Sequence, residues 1–338
     1  MKTRSEREPS GAGSGAPEIS SQPTDNQRPG QVLSIVIPVY NSADLIGATI
    51  DEVVGYCDEQ DLSFQLLLIN DGSTDGSWKV LADRAQQDQR ITSIDLLRNY
   101  GQHTAVFAGL TLSSGDLVIT MDDDLQNPAT EIGTLIVKAQ EGHDLVVGRY
   151  RQKHHAPYRR LGSRLIGGLN RRIFGKPKDF VIGNFRCMRR DLVDRIVAYS
   201  NPYPYITGLA IMFASRPINV DVEHRPRPGG SSNYGIRAIT ALVFRILFNY
   251  SSFPLRLVSV IGLIATVTSF VTGSFFLVRA LAGGSSVPGF TTLIVLLSFF
   301  NGVSLLILSM LGEYTIRLLR QSSQPDPYHI RETVGPRD

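Results

Sequence analysis

The sequence predicts an α/β domain built on a mostly parallel sheet, followed by two apolar helices of membrane-spanning length. Three observations carry that reading. Short apolar runs alternate with helical patterns through residues 32–148, acid-rich clusters directly follow several of those runs, and two long apolar stretches lie near the C-terminus. A chain of 338 residues holds one large α/β domain and a smaller appendage. The net charge of +3 is too small to imply nucleic acid as a partner.

Residues 1–30 are rich in Ser, Gly, Pro, Glu and Gln and hold no apolar run. They predict a disordered tail, and they lack the roughly 7–15 apolar residues of a secretory signal. The main domain is expected over 31–235. Val32–Val39, Phe64–Asn70, Ile91–Leu97, Asp116–Asp122 and Asp144–Gly148 read as strands, with helical stretches after Asn41, Thr74, Gly101 and Pro128. Continuous apolar strands alternating with helices argue a parallel sheet covered on both faces. Ligands then sit beyond the carboxyl ends of the strands. Cys57 and Cys187 make neither a metal-ligand nor a disulfide-framework spacing.

The polar clusters fall at those strand ends: Tyr40-Asn41, Asp71-Gly72-Ser73 and Asp122-Asp123-Asp124. Asp122 and Asp124 are spaced so that both carboxylates approach one point, and carboxylate oxygens suit Mg²⁺ or Mn²⁺. A solvated acidic turn ahead of Pro128 is the plainer alternative. Asp71 equally reads as an Asx turn leading into a helix capped by Ser73 or Thr74. No G-x-G-x-x-G follows the first strand and no G-x-x-x-x-G-K-[ST] is present, which excludes a Rossmann dehydrogenase and a P-loop NTPase.

Residues 236–254 mix apolar residues with Arg237 and Arg245, and read either as interfacial helices on a membrane surface or as a helix packed on the domain. Residues 255–278 and 290–311 each carry the roughly 20 apolar residues of a membrane span. The loop between them has a single charge, Arg279, while Arg237, Arg245 and Arg256 flank one side and Arg317 and Arg320 the other. By the positive-inside rule the domain and the tail over 312–338 face the cytoplasm. The expected location is the inner (plasma) membrane, with the bilayer as a partner.

Seven segments together resemble glycosyltransferase family 2, whose fold is called GT-A: IPVYN (Ile37–Asn41), DGSTD (Asp71–Asp75), RNYGQHTAVFAGL (Arg98–Leu110), MDDDLQNP (Met121–Pro128), SSNYG (Ser231–Gly235), FPLR (Phe253–Arg256) and LGEY (Leu311–Tyr314). They are most similar to the branch that glycosylates polyprenyl phosphates. The resemblance implies an inverting, metal-dependent transfer from a nucleotide sugar, UDP-linked or GDP-linked, to undecaprenyl or another polyprenyl phosphate. It also implies a homo-oligomer, a tetramer. It places Pro38, Tyr40 and Asn41 at the nucleotide, Asp71 at the base or ribose, Asp122 and Asp124 at the metal and donor, and Gln126 nearby. Arg149, Arg159 and Ser163 would face the acceptor phosphate, and Arg227 and Ser232 would grip it further. Arginine pairs bidentately with phosphate oxygens, although a basic surface against anionic headgroups explains such arginines as well.

Two positions depart from the family pattern. Ser42 and Ala43 follow the YN pair where an acid is usual. Asn184 stands where many relatives carry Asp, with Asp179 upstream as the alternative acid. Two rivals remain. A processive polysaccharide synthase would need a Q-x-x-R-W element, and Trp78 is the chain's one tryptophan. A degenerate, non-catalytic scaffold is opposed by Asp71, Asp122 and Asp124.

Overall fold

The computed structural model describes residues 31–150, 167–199, 203–226, 289–322 and 326–336, with single positions between 243 and 271. Its centre is one eight-stranded sheet in the order β7-β5-β6-β4-β1-β2-β3-β8. The first strands are β1 (Leu33–Val39), β2 (Phe64–Asn70), β3 (Ile91–Leu96) and β4 (Leu117–Thr120), and all are parallel. β5 (Leu145–Tyr150) and β7 (Pro217–Val222) pair in parallel, and β6 (Arg186–Arg189) is wedged antiparallel between β4 and β5. β8 (Ile330–Val334) closes the far edge antiparallel to β3.

The helices between strands are α1 (Ala43–Glu59), α2 (Ser77–Gln87), α3 (Gln102–Leu112), α4 (Glu131–Gln140), α5 (Arg190–Ala198) and α6 (Ile206–Phe213). The period-two alternation of β1 sends Ile35, Ile37 and Val39 to a core shared with α1, α2 and α4. Val36 goes to the opposite core, shared with α3, α5 and α6. In α1 the buried Ile46, Ile50, Val53 and Cys57 recur at helical spacing and form its one inward stripe. α3 has no polar face over Thr104–Leu110 because it is pressed onto the sheet. A Cβ on Gly109 would lie 2.2 Å from Val36 Cγ1, so only glycine lets helix and strand approach this closely.

The expected strands and helices over 32–148 form, with β4 shorter than expected because Met121 and Asp122 already belong to the loop beyond it. Strands β6, β7 and β8 were not foreseen. Of the predicted juxtamembrane segment and first span, only single positions are described; among them Ile246 is buried and Tyr250 is half-buried. The second predicted span lies within α7 (Gly289–Ser322), a 34-residue helix that runs past the expected end at 311. Among the described residues no helix is long and apolar enough to cross a membrane. Many side chains of α7 fall outside those residues, so the crossing itself stays an expectation.

Candidate active site

The sheet topology gathers one edge. β4, β1, β2 and β3 are parallel neighbours, so the loops after Val39, Asn70, Leu96 and Thr120 open on the same side. β6 runs antiparallel to β4 with Arg186 opposite Thr120, so the residue pair just before it, Asn184-Phe185, arrives at that edge too. β5 and β7 run with β4, which brings Tyr150 and residues 223–225 to the same place.

Asp71 leaves β2 almost wholly buried and accepts two backbone hydrogen bonds, from Tyr100 N at 2.7 Å and Gly101 N at 2.8 Å. Burial pushes its carboxyl up to about 6, and the two amides hold it from rising further. Gly72, at φ 65, sits against the same loop: a Cβ there would lie 2.5 Å from the backbone of Arg98 and Asn99. Asn41, at φ 51, stitches the neighbouring loops together. Its backbone N donates to Ser73 Oγ at 3.0 Å and its Oδ1 accepts from Thr74 N at 2.8 Å. Pro38 is buried in β1 and Tyr40 is exposed at the mouth.

Asp122 is fixed by two side-chain amides. Gln102 Nε2 donates to its Oδ1 at 2.6 Å and Asn184 Nδ2 at 3.4 Å. Burial, then Asp124 and Asp123, push its carboxyl up to about 6, against the pull of Asn184 and Arg186. Asp123 turns the other way, accepting from Ser42 Oγ and, at 3.4 Å, from Tyr40 N. Burial raises its carboxyl as well. Asp124 is buried at 9% exposure, and its Oδ1 accepts the backbone N–H of Gln126 at 3.2 Å. Leu125, at φ 60, makes the sharp turn between them. Three carboxylates in sequence, two of them held protonated more easily by burial and mutual repulsion, describe an excess of negative charge that a cation would relieve.

Among the described residues no group of three or more His, Cys, Asp or Glu is arranged as a metal cage. Mg²⁺ takes few protein ligands, one or two carboxylates, and completes its shell with substrate phosphates and water. The hard oxygen donors of Asp122 and Asp124 fit that pattern. Asp122 Oδ1 is already engaged by two amides, which leaves Asp124 the less committed of the pair.

The rest of the rim was less visible in the sequence. Gln126 O accepts from Arg225 N at 2.9 Å, and its side chain meets His224 at 3.2 Å. His224 stacks on Tyr150 with centroids 4.0 Å apart, and Tyr150 donates to Asn127 Oδ1 at 2.9 Å. Arg225 Nη1 pairs with both oxygens of Glu52 at 3.0 Å. Arg186 is a fully buried guanidinium whose Nε donates to Thr120 Oγ1 at 3.1 Å. The same hydroxyl donates to Asn184 O at 2.6 Å. Gln102 lay within the quoted RNYGQHTAVFAGL stretch, and Arg186 within the segment after Asn184; no pattern marked His224 or Arg225.

Arg149 is exposed and pairs with Asp221 at 2.6 Å across β5 and β7. Asp179 is exposed in the turn at 178–179, whereas Asn184 touches Asp122. Arg159, Ser163, Arg227 and Ser232 lie outside the described residues.

The family description "Glycosyl transferase family 2" matches residues 34–197. The undecaprenyl-phosphate 4-deoxy-4-formamido-L-arabinose transferase of Proteus mirabilis is 34% identical over 310 residues, covering 90% of this chain and 94% of its own length. The protein of the same name from Edwardsiella ictaluri is 34% identical over 308 residues, with the same two coverages. A crystal structure described as a mycobacterial protein superimposes with a TM-score of 0.50 at 19% identity, covering 68% of this chain and 78% of that one. That likeness concerns the fold.

Proposed function

The chain belongs to glycosyltransferase family 2 and is a glycosyltransferase; from that premise we propose that it transfers a sugar from a UDP-sugar to undecaprenyl or a related polyprenyl phosphate at the cytoplasmic face of the membrane. The observation that carries the acceptor is the similarity to undecaprenyl-phosphate transferases over 90% of the chain.

The site supports an inverting displacement. Asp71, anchored by the Tyr100 and Gly101 amides, holds the nucleoside end of the donor. Asp122 and Asp124 would hold Mg²⁺ or Mn²⁺, which when bound neutralises charge on the departing diphosphate. An oxygen of the acceptor phosphate attacks the anomeric carbon, the bond from that carbon to the diphosphate oxygen breaks, and the nucleoside diphosphate leaves with the electron pair. No proton has to be removed, because a phosphate monoester with a second pKa of about 6 is already a nucleophile near neutrality. A neutral amide at Asn184 suits that chemistry: it fixes Asp122 and leaves no base where none is required. Positioning and charge neutralisation then supply the catalysis. Arg159, Ser163, Arg227 and Ser232, with Arg149 at the rim, are assigned to the acceptor phosphate.

The membrane attachment has support in the structure's surface. Leu293, Leu297, Phe299 and Leu308 of α7 stand more than half exposed, as do Val260, Ile264, Val267 and Val271. Apolar surface on this scale needs lipid or another chain to cover it. A two-span anchor and a tetramer belong to the same proposal. The test is purified protein incubated with undecaprenyl phosphate and a panel of nucleotide sugars, read by mass spectrometry of the lipid. A glycosylated undecaprenyl phosphate is expected with one UDP-sugar. Donor turnover without any lipid product would refute the acceptor.

A further inference from the structure

We infer that Arg331, on the last strand of the chain, is a positioning residue for the two loops that form the nucleotide end of the donor site. The inference rests on the donor site proposed above and names a residue that builds it.

Arg331 stands on β8 where the pairing with β3 is irregular, between Asp95 and Leu96. An irregularity of this kind re-aims side chains, and here it sends one guanidinium to two targets. Nη1 meets Asp95 Oδ2 at 3.1 Å, and Nη2 donates to Leu97 O at 2.6 Å. Each target leads into a different limb of the Asp71 site. Asp95 is buried at 2% exposure and its Oδ1 accepts from Asn70 Nδ2 at 2.7 Å. Asn70 immediately precedes Asp71, and its own Oδ1 accepts the backbone N–H of Ser73 at 3.4 Å, closing the Asp71–Ser73 loop.

Leu97 starts the other limb. Its backbone N donates to His329 O at 2.8 Å, so residues 329–331 hold both the N–H and the C=O of Leu97. Three and four residues later come Tyr100 and Gly101, whose amides hold the Asp71 carboxylate. A single side chain therefore ties together the loop that carries the carboxylate and the loop that fixes it. Only a planar fork does both: a lysine ammonium keeps the charge beside Asp95 but does not reach the two acceptors in one geometry. Tyr328, packed edge-on against Phe107 of α3 with centroids 6.5 Å apart, seats the strand from the other side. The donor pocket is thus completed by a segment that follows α7, after the other seven strands of the sheet.

The test uses the full chain in detergent and three proteins: wild type, Arg331→Gln and Arg331→Lys. Binding of UDP with Mg²⁺ is measured by calorimetry, and backbone hydrogen exchange is followed over residues 97–101. Expected are UDP binding weakened at least about tenfold in Arg331→Gln and by an intermediate factor in Arg331→Lys, with faster exchange at Tyr100 and Gly101 in both. Arg331→Lys guards against a glutamine variant that simply fails to fold. Wild-type UDP affinity and wild-type exchange in the variants would overturn the inference. If UDP fails to bind even the wild type, the donor assignment is wrong, and the exchange at Tyr100 and Gly101 alone then decides the role of Arg331.

Discussion

Replacing Asp71 by asparagine should make the protein gain stability relative to wild type as the pH rises from acid to neutral. The carboxyl lies almost fully buried, and burial lifts it from an ordinary 3.8 to about 6. The folded chain therefore binds this proton more tightly than the unfolded chain does. The contribution of this carboxyl to stability is most favourable below pH 3.8, falls as pH rises from 3.8 to 6, and is constant above. At 1.36 kcal/mol per tenfold in the proton equilibrium, the cost above pH 6 is about 3 kcal/mol. The neutral carboxamide of Asp71→Asn has no such cost, although one of the Tyr100 and Gly101 amides then faces an NH₂ group instead of an oxygen. The protonated acid keeps an acceptor on its hydroxyl oxygen that the NH₂ lacks, so the variant carries a loss of about 1 kcal/mol that is the same at every pH and leaves the pH dependence intact. For a folded unit of roughly 150–250 residues, 1 kcal/mol is about 2–4 °C. In detergent, the melting temperature of Asp71→Asn relative to wild type should rise by about 5–10 °C between pH 4 and pH 7.5. The variant should lose donor affinity at every pH. A melting difference that stays constant from pH 4 to 7.5 would show that the buried carboxylate carries no such cost.

Four further outcomes are expected. Asp124→Ala should lower transfer at least about 100-fold while melting like wild type, since the hydrogen bond it accepts is the local one from Gln126, and EDTA should abolish activity reversibly; full activity in EDTA would remove the metal. Gly109→Ala should cost about 1–3 kcal/mol in a melt, because its Cβ meets Val36 Cγ1 at 2.2 Å, and Val36→Ala in the same chain should recover part of it. Burial pushes both thiols, Cys57 and Cys187, up to about 12, so a maleimide at pH 8 should label neither in the native protein and both after unfolding, as read by mass spectrometry. A reporter inserted at Gly284 should lie outside the cytoplasm and reporters at either terminus inside; a cytoplasmic signal from Gly284 would refute the two-span topology.

The sheet was legible wherever a strand is fully buried. Leu33–Val39 and Phe64–Asn70 are continuous apolar runs followed by turn residues and a helical pattern, and they form as read. β6 was not legible. Its four residues, Arg-Cys-Met-Arg, neither alternate nor form an apolar run, and it enters antiparallel between two parallel strands instead of following them in order. What makes it a strand is the hydrogen-bonding of β4 and β5 on either side, with Arg186 carried inward to Thr120 and Thr207. β8 was invisible for a related reason. Ile330–Val334 is polar, half-exposed, and pairs on one side only, so its sequence is that of a tail.

The acid clusters of the site were legible because the chain itself places them: Asp71 and Asp122 each follow a buried parallel strand by one or two residues, and parallel strands open on one edge. The residues that aim those acids come from elsewhere. Gln102 reaches Asp122 from α3, Asn184 from the loop that leads into β6 beside β4, and Arg331 braces the Asp71 loops from 236 residues downstream of Asp95. Ser42 illustrates the difference. Read along the sequence it is a missing acid after Tyr40-Asn41, but in the fold it is a buried hydroxyl donating to Asp123. A carboxylate there would face Asp123 across a hydrogen-bond distance and raise further the charge already crowded at this edge. The departure at Ser42 therefore follows from how Asp123 is turned, toward the first loop, where it accepts from Ser42 and Tyr40; in the proposed function that leaves Asp122 and Asp124 for the donor.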